Sequence, residues 1–275
     1  MRTPRTTDAW PARDGRRVIS SAGVGRLYVG TSGFAYPAWA PKFYAPGTRG
    51  DELLRRYAGR LPSCELNNTF YQQPTEAKIS SWLAATPPDF RFAVKAQRGG
   101  SIRSLVADAS ASIAWLTPPY RFFGERLGSV LFRIPGDIAR DDDRLGQFLH
   151  AWPRDLPLTV ECQDPSWHVD EVLDLLQAAG AAWCTTELDE SAEPPPVHVT
   201  GRHLYLRLRR SAYEPEELAA WAARLVPFLD AGHDAFVYFR HDEDGESALR
   251  ALELRTLVEG QLKVDPAVRE AQPAR

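Results

Sequence analysis

The chain alternates short runs of apolar residues with longer segments in which apolar residues recur every three or four positions. Short apolar runs are typical of buried strands, and the longer spacing is typical of amphipathic helices. The expected strands are 26–31, 63–68, 90–95, 129–134, 158–162, 182–186, 203–208 and 234–239. The expected helices are 51–61, 75–85, 141–151, 169–179, 216–231 and 246–259. Pro118 and Pro119 interrupt the pattern between the third and fourth strands, so two shorter helices are expected there.

Strands that alternate with helices form parallel sheets, and eight such units predict an α/β fold, a single-domain (β/α)8 TIM-type barrel over residues 26–262. The alternative is an open doubly wound sheet, which usually carries a glycine-rich phosphate loop after its first strand. Gly-Thr-Ser-Gly at 30–33 lacks the spacing of that loop. Residues 1–25 are expected to form a flexible Arg-rich arm, and residues 263–275 a C-terminal tail.

The strands also predict which side chains point into the barrel. Alternate residues of a barrel strand face the helices and the interior, and one parity of most strands is wholly apolar. The other parity, which should point inward, comprises Tyr28, Glu65, Asn67, Lys95, Arg133, Glu161, Tyr205, Arg207, Tyr238 and Arg240. Most of these residues lie near the C-terminal ends of their strands, where the active sites of such barrels are built. The polar lining therefore predicts a functional site.

The inward residues carry more positive than negative charge. The cations are Lys95, Arg133, Arg207 and Arg240, and the carboxylates are Glu65 and Glu161. Glu187, whose orientation the pattern does not fix, would reduce the excess to one. Because burying an unpaired charge costs several kcal/mol, a small phosphorylated or carboxylated organic ligand would balance the lining. The alternative is a layer of ion pairs that satisfies itself and only fills the barrel.

The loop after the first strand, residues 30–48, is long and carries five aromatic side chains. Three prolines stiffen it. It could stack a sugar ring or a base, or it could plug the barrel mouth as a small satellite core, which is the commoner fate of large aromatic residues.

Composition, net charge and cysteine spacing limit the binding partners and the cellular location that the sequence predicts. The formal net charge of −3 gives no overall field that would gather nucleic acid. The cysteines Cys64, Cys162 and Cys184 lack paired spacing and are expected to be reduced and buried. No apolar run approaches the roughly 18 residues of a membrane span, which predicts a cytoplasmic protein without a membrane partner. The sequence does not predict an oligomeric state.

Seven short segments occur in an order that resembles a known family. They are GTSGFAYPAW at 30–39, ELNNTFY at 65–71, FRFAVKA at 90–96, LFRIP at 131–135, VECQDPSW at 160–167, YLRL at 205–208 and VYFRHD at 237–242. The resemblance is to domain of unknown function 72, the YecE-like proteins, and spans about residues 27–258. It implies a TIM-type barrel with a pocket at the strand C-termini and no settled reaction. The implied signature positions are Gly30, Ser32, Gly33, Tyr36, Trp39, Glu65, Asn67, Thr69, Phe70, Tyr71, Lys95, Glu161, Pro165, Trp167 and Arg207.

The chain also departs from the family pattern. It has Arg-Ile-Pro-Gly at 133–136 where the family typically shows Gln-Leu-Pro-Pro, and Gln-Asp-Pro-Ser-Trp at 163–167 where the family shows Arg-His-Pro-Ser-Trp. It has Arg-Leu-Arg-Arg at 207–210 in place of Arg-Phe-His-Gly, and Arg-His at 240–241 in place of Asn-Asn. These differences imply a divergent member in which the anion site is rearranged or the ligand differs.

If the protein is an enzyme, acid–base chemistry of a hydrolase or isomerase type would use Glu65 and Glu161, with Lys95 as a third catalytic candidate. The candidate substrate contacts are Ser32, Tyr36, Trp39, Asn67, Tyr71, Arg133, Trp167, Arg207, Arg209 and Arg240. Lys95 could instead form a Schiff base with a carbonyl substrate, although clamping of phosphate is the commoner use of such a lysine. Each glutamate could also serve only as the counter-ion of a neighbouring arginine. No cofactor and no metal are predicted.

Two other functions stay open. One is a metal-dependent phosphodiesterase or isomerase of the xylose isomerase-like type, although the neighbouring Lys and Arg side chains would repel a metal ion. Its ligands would be Glu65, Glu161, Glu187 and His241. The other is a non-catalytic nucleic-acid-binding protein that uses the arm at 2–17, the aromatic loop and Arg209–Arg210, with binding that weakens steeply as salt is added.

Overall fold

The computed structural model describes residues 23–191 and 193–263. Within them, eight parallel strands form the barrel, and the predicted (β/α)8 fold is confirmed. The strands are β1 (Leu27–Thr31), β2 (Ser63–Leu66), β3 (Arg91–Lys95), β4 (Leu127–Ile134), β5 (Leu158–Cys162), β6 (Ala182–Glu187), β7 (His203–Leu208) and β8 (Asp234–Phe239). The predicted arm, apart from residues 23–25, and the predicted tail, apart from Lys263, lie outside the described residues.

Helices follow the strands around the outside of the barrel. They are α1 (Asp51–Ala58), α2 (Glu76–Ala84), α3 (Arg98–Val106), α4 (Ala109–Leu116), α5 (Asp142–Ala151), α6 (Asp170–Ala179), α7 (Pro215–Asp230) and α8 (Glu246–Leu262). The two short helices expected between β3 and β4 are α3 and α4. Helix α6 ends at Gly180, which adopts the left-handed conformation (φ 69°) that glycine tolerates best. No helix of the described part is long and apolar enough to cross a membrane.

Side-chain parity divides the interior into two apolar clusters, as the strand pattern predicts. The outer cluster lies between strands and helices and includes Val29, Cys64, Phe92, Val130, Val160, Leu206 and Val237. The inner cluster comprises Tyr28, Ala93, Leu131, Cys184, Tyr205, Phe236 and Tyr238. The inner cluster therefore fills the barrel beneath the strand C-termini with apolar side chains.

The barrel closes where β1 meets β2, and this junction is held by few backbone contacts. A single bridge joins Ser32 to Glu65, and the Gly33 amide donates to the Glu65 carbonyl oxygen over 2.8 Å. The strands approach closely at Gly30, where a β-carbon would lie 2.0 Å from the Ser63 carbonyl oxygen. The Tyr57 hydroxyl of α1 is inserted between the strands. It accepts from the Thr31 amide over 2.8 Å and donates to the Ser63 carbonyl over 3.0 Å.

The long loop after β1 forms a satellite core. Trp39, Phe43 and Tyr44 are buried in it, and the Trp39 indole donates to the Asp242 carbonyl over 3.0 Å. The loop therefore packs against the segment between β8 and α8, as expected of a plug rather than of a stacking platform.

Removing the Tyr57 hydroxyl should weaken the barrel at its closure. In Tyr57→Phe, the buried Thr31 amide and Ser63 carbonyl lose this partner, so we expect the free energy of unfolding to fall by about 1–3 kcal/mol. Urea unfolding followed by circular dichroism measures the change. Tyr71→Phe is the matched control, since Tyr71 is 78% exposed and should change stability by less than about 0.5 kcal/mol. Equal stability of the two variants would contradict this account of the junction.

Candidate functional site

Charged side chains from five strands meet at the C-terminal end of the barrel. Glu65, Glu161 and Arg207 are almost fully buried, and Lys95 is 9% exposed. Arg133 is more accessible, with its side chain 31% exposed. Each residue is the last or the next-to-last of its strand, so the alternation of the strands directs all five inward above the inner cluster. We call these five residues the charged cluster.

Arg207 is the centre of the charged cluster. Its Nη2 donates to Glu65 Oε1 over 2.9 Å, and its Nη1 donates to Glu161 Oε1 over 2.7 Å. Glu65 also accepts from the Ser32 hydroxyl over 2.7 Å and from the Tyr205 hydroxyl over 2.8 Å. Both oxygens of Glu65 are therefore engaged, and this carboxylate is held rigidly.

Both carboxyl groups are ionised in this environment. Burial alone raises the pKa of Glu65, but Arg207 and Lys95, with the hydrogen bonds from Ser32 and Tyr205, outweigh burial and lower that pKa to about 2. Burial and the negative charge of Glu65 raise the pKa of Glu161. The positive charges of Arg207 and Arg133 outweigh them, so the pKa of Glu161 also lies below its usual value. The same pairs hold the pKa of Arg207 well above its usual range, against the effect of burial.

The remaining cations are paired less completely. Arg133 Nε lies 3.7 Å from Glu161 Oε2, and Arg240 Nη1 lies 3.8 Å from Asp189. Lys95 and Arg209 make no side-chain hydrogen bond or ion pair with any residue that the structure describes. The Lys95 ammonium instead lies 4.3 Å from the centre of the Phe70 ring. The positive excess expected from the sequence is therefore present in this part of the chain.

Polar atoms without partners concentrate in the charged cluster. Arg133 Nε, Glu161 Oε2 and Arg207 Nε are buried and have no hydrogen-bond partner within the described residues. Leaving a buried polar group unsatisfied costs about 1–3 kcal/mol, and more for a charged group. Two of these atoms, Arg133 Nε and Glu161 Oε2, face each other at a distance too long for a hydrogen bond. The site thus offers one donor and one acceptor side by side, next to unpaired positive charge.

The charge of Glu187 does not reduce the excess. Its Oε2 accepts from the Tyr213 hydroxyl over 2.7 Å and from the Trp221 indole over 3.0 Å. Glu187 therefore points outward beneath α7, which the sequence pattern left open. Thr186, its neighbour, points inward and donates to Glu161 Oε1 over 3.1 Å. The sequence analysis missed Thr186 because the run at 182–186 has no clear alternation of polar and apolar residues.

The other predicted contacts are spread around the barrel mouth. Asn67 is half-buried and Tyr71 exposed, both just after β2, while Tyr36 stacks on His241 at 5.1 Å between ring centres. Trp39 and Trp167 are fully buried and are not brought to the charged cluster. The Trp167 indole donates to the Ile138 carbonyl over 2.8 Å, so both tryptophans hold loops in place.

A metal site is not formed by the described residues, among which no three His, Cys, Asp or Glu side chains are grouped to hold an ion. Cys64, Cys162 and Cys184 are buried and unpaired, as predicted, and burial raises the pKa of each thiol.

Two cavities lie outside the charged cluster, one at the opposite end of the barrel and one next to the cluster. One, of about 470 Å³, opens at the N-terminal end of the barrel, and the other, of about 320 Å³, lies between β6 and the start of α6. Thr186 lines the second cavity and contacts Glu161. Charge and unpaired polar atoms mark the candidate site.

Comparisons with known proteins agree with this architecture. Residues 28–274 match the family described as "Protein of unknown function DUF72". The UPF0759 protein YunF of Bacillus subtilis is 23% identical over 265 residues, which cover 81% of this chain and 91% of YunF. A DUF72 family protein of Thermotoga maritima superposes with a TM-score of 0.75 at 23% identity, covering 85% of this chain and 99% of that one. One from Enterococcus faecalis gives 0.68 at 19% identity, covering 86% and 98%. At such identities the structural likeness shows the fold alone.

Removing Arg207 should destabilise the protein in a pH-dependent way. Arg207→Met leaves two buried carboxylates without their counter-ion, so we expect the free energy of unfolding to fall by about 3–5 kcal/mol near neutral pH. In the unsubstituted chain, the stabilisation from Glu65 is present above a pH of about 4.5 and is lost as the pH falls toward 2. In the variant the pKa of Glu65 rises, so protonation relieves the repulsion and the deficit should shrink toward acidic pH.

Urea unfolding of both proteins at neutral pH and at about pH 5 measures this deficit. Arg210→Met is the control, since Arg210 pairs with the half-buried Glu217 and its loss should cost less than about 1 kcal/mol. A deficit in Arg207→Met that is independent of pH would contradict the ionised state of the two glutamates.

Proposed function

The chain belongs to the DUF72 family of proteins of unknown function, and we propose that it binds a small organic anion, phosphorylated or carboxylated, at the C-terminal end of its barrel and processes it by acid–base chemistry. The observation that carries the proposal is that two cations, Lys95 and Arg209, form no ion pair with any described residue and lie beside a buried ion-pair network. An anionic ligand is the partner that lowers the cost of keeping these charges together.

The charged groups at the barrel mouth divide into a frame and a contact surface. Arg207, Glu65 and Glu161 form the frame, because Arg207 pairs with both carboxylates and lowers the pKa of each. Lys95 and Arg133, with Arg209 from just after β7, are the proposed contacts for the anion. Burial and the positive charge of Arg207 lower the pKa of Arg209, so Arg209 interacts electrostatically with the charged cluster. Its side chain is nevertheless half-exposed. Arg209 can therefore meet a ligand that enters from solvent.

The proposed acid–base group is Lys95. Burial and Arg207 lower its pKa to about 8, although Glu65 and Glu161 oppose them, so it can both give and take a proton near neutral pH. Glu161 has a depressed pKa and is a weak base, but its free Oε2 can accept a hydrogen bond from a ligand hydroxyl. Of the two glutamates predicted as acid and base, Glu161 is thus the one with a free oxygen to offer.

Nucleic-acid binding draws less support from the described residues. Of the groups it would use, Arg210 is paired with Glu217, and three of the five aromatic residues of the loop after β1, Trp39, Phe43 and Tyr44, are buried. The arm at 2–17 lies outside the part of the chain that the structure describes. A small anion needs only the residues that already meet at the barrel mouth.

A thermal-shift screen tests anion binding. We expect phosphosugars, nucleotides or organic acids to raise the melting temperature, by about 2–4 °C for each kcal/mol of binding free energy. Arg209→Gln should lose most of this shift because it removes a positive charge from the proposed site. The substitution breaks no ion pair with a described residue, so it should leave the fold intact. Arg202→Gln is the matched control, since Arg202 is an exposed arginine at the opposite end of β7 and should respond as the unsubstituted chain does. An absence of any response to anions, or equal responses in both variants, would refute the proposed site.

A further inference from the structure

Lys95 differs from the other lysines of the chain, which has four: Lys42, Lys78, Lys95 and Lys263. Lys42 is ion-paired with Asp244 over 2.6 Å and with Glu246 over 2.7 Å. Lys78 and Lys263 are exposed. Lys95 lies at the end of β3 with a tenth of its surface exposed and no side-chain hydrogen bond to any described residue. No hydrogen bond from the Lys95 amine to a described residue therefore has to break before the amine can react.

The surroundings of Lys95 favour the neutral amine, which is the nucleophilic form. Burial is the largest influence, and the positive charges of Arg207 and Arg133 act in the same direction. The negative charges of Glu65 and Glu161 face the amine too and oppose the shift, so a substantial neutral fraction remains with the pKa at about 8. The Phe70 ring, 4.3 Å from Nζ, provides one apolar wall against the amine.

The groups around the amine also fit the needs of a carbonyl substrate. Arg133 Nε is a buried donor without a partner, and Glu161 Oε2 beside it is a buried acceptor without a partner. A donor polarises a carbonyl oxygen, and an acceptor takes the proton that an attacking amine must lose. Arg209 follows β7 at the same end of the barrel, next to Arg207, and is the proposed contact for an acidic group.

We propose that the Lys95 amine forms an imine with an aldehyde or ketone that bears a carboxylate or a phosphate. The inference rests on the proposed anion site and names its substrate class and its covalent step. The Nζ lone pair bonds to the carbonyl carbon, and the C–O π electrons move to the oxygen. One proton passes from the nitrogen to this oxygen and gives the carbinolamine. The hydroxyl group then takes a second proton from Glu161 or solvent and leaves as water, and the nitrogen returns its own second proton to the same group. One amine and one carbonyl thus yield one imine and one water, with no oxidant or reductant.

Reductive trapping tests the imine. The intact protein is incubated with glyoxylate, pyruvate or glycolaldehyde phosphate and sodium cyanoborohydride, and the secondary amine formed is located by peptide mass mapping. We expect Lys95 to be labelled about tenfold faster than Lys78, because a pKa below the ordinary lysine value leaves more neutral amine at Lys95 near neutral pH. The labelling rate of Lys95 should level off above a pH of about 8.

Two variants and a neutral aldehyde act as controls. Lys95→Arg should lose the fast label and keep the positive charge, and Lys78→Arg should retain the fast label. Lys78 is a fair match because its amine also lies near an aromatic ring, 5.7 Å from the centre of Trp82, but is exposed. Acetaldehyde, which has no acidic group for Arg209 to bind, should label Lys95 more slowly than glyoxylate does.

The outcomes separate the imine from anion binding. An Arg209-dependent thermal shift together with equal labelling of all lysines would overturn the imine and leave the anion site standing. Labelling of Lys95 that is as fast with acetaldehyde as with glyoxylate would also overturn the proposal, because the acidic group would then play no part. Without any thermal shift or Lys95 adduct, both proposals fail. Fast, acid-group-dependent labelling confined to Lys95 supports both.

Discussion

The buried guanidinium of Arg207, clamped between Glu65 and Glu161, governs the charge of every neighbouring group. It keeps both carboxylates ionised at depths where burial alone would favour their neutral forms. It also raises the cost of a second positive charge nearby, which is one reason why the pKa of Lys95 falls. The frame of three charges carries one net negative charge. Lys95, Arg133 and Arg209 then reverse its sign, and this reversal is the basis of the proposed anion site.

The two polar layers inside the barrel show why the charged one is the candidate site. Near the N-terminal end, His203 Nε2 lies 3.0 Å from the Thr159 hydroxyl and 3.1 Å from that of Ser129, and these hydroxyls are 2.7 Å apart. Burial lowers the pKa of His203 to about 4, so this layer is neutral and satisfies itself. The layer at the C-terminal end, in contrast, retains polar atoms and cations that have no partner among residues 23–191 and 193–263. A layer that only filled the barrel would be expected to resemble the first.

The alternation of strand residues predicted most of the fold and the members of the charged cluster, because β-strand geometry fixes direction with a period of two. It could not orient Glu187 or Thr186, since the β6 run mixes small polar and apolar residues on both faces. Nor could it place Trp39 and Trp167. Their burial depends on how loops fold over the barrel, and loops lack a repeating geometry from which direction can be read. The pairing of individual charges likewise depends on distances of a few ångströms that no sequence pattern encodes.

The departures from the family pattern become easier to interpret once β4 and β5 are seen side by side. The family pattern has Gln at the position of Arg133 and Arg at the position of Gln163, so this chain carries the two residue types exchanged. The structure joins them, with Arg133 Nη2 donating to Gln163 Oε1 over 2.5 Å. An exchange between bonded neighbours keeps the positive charge and moves it by one strand, onto β4, where Arg133 Nε lies 3.7 Å from Glu161 Oε2. In the proposed anion site, a displaced cation changes where a ligand's acidic group can sit while the frame of Arg207, Glu65 and Glu161 stays as it is. The exchange thus corresponds to a rearranged anion site, which the sequence predicts as one alternative to a different ligand.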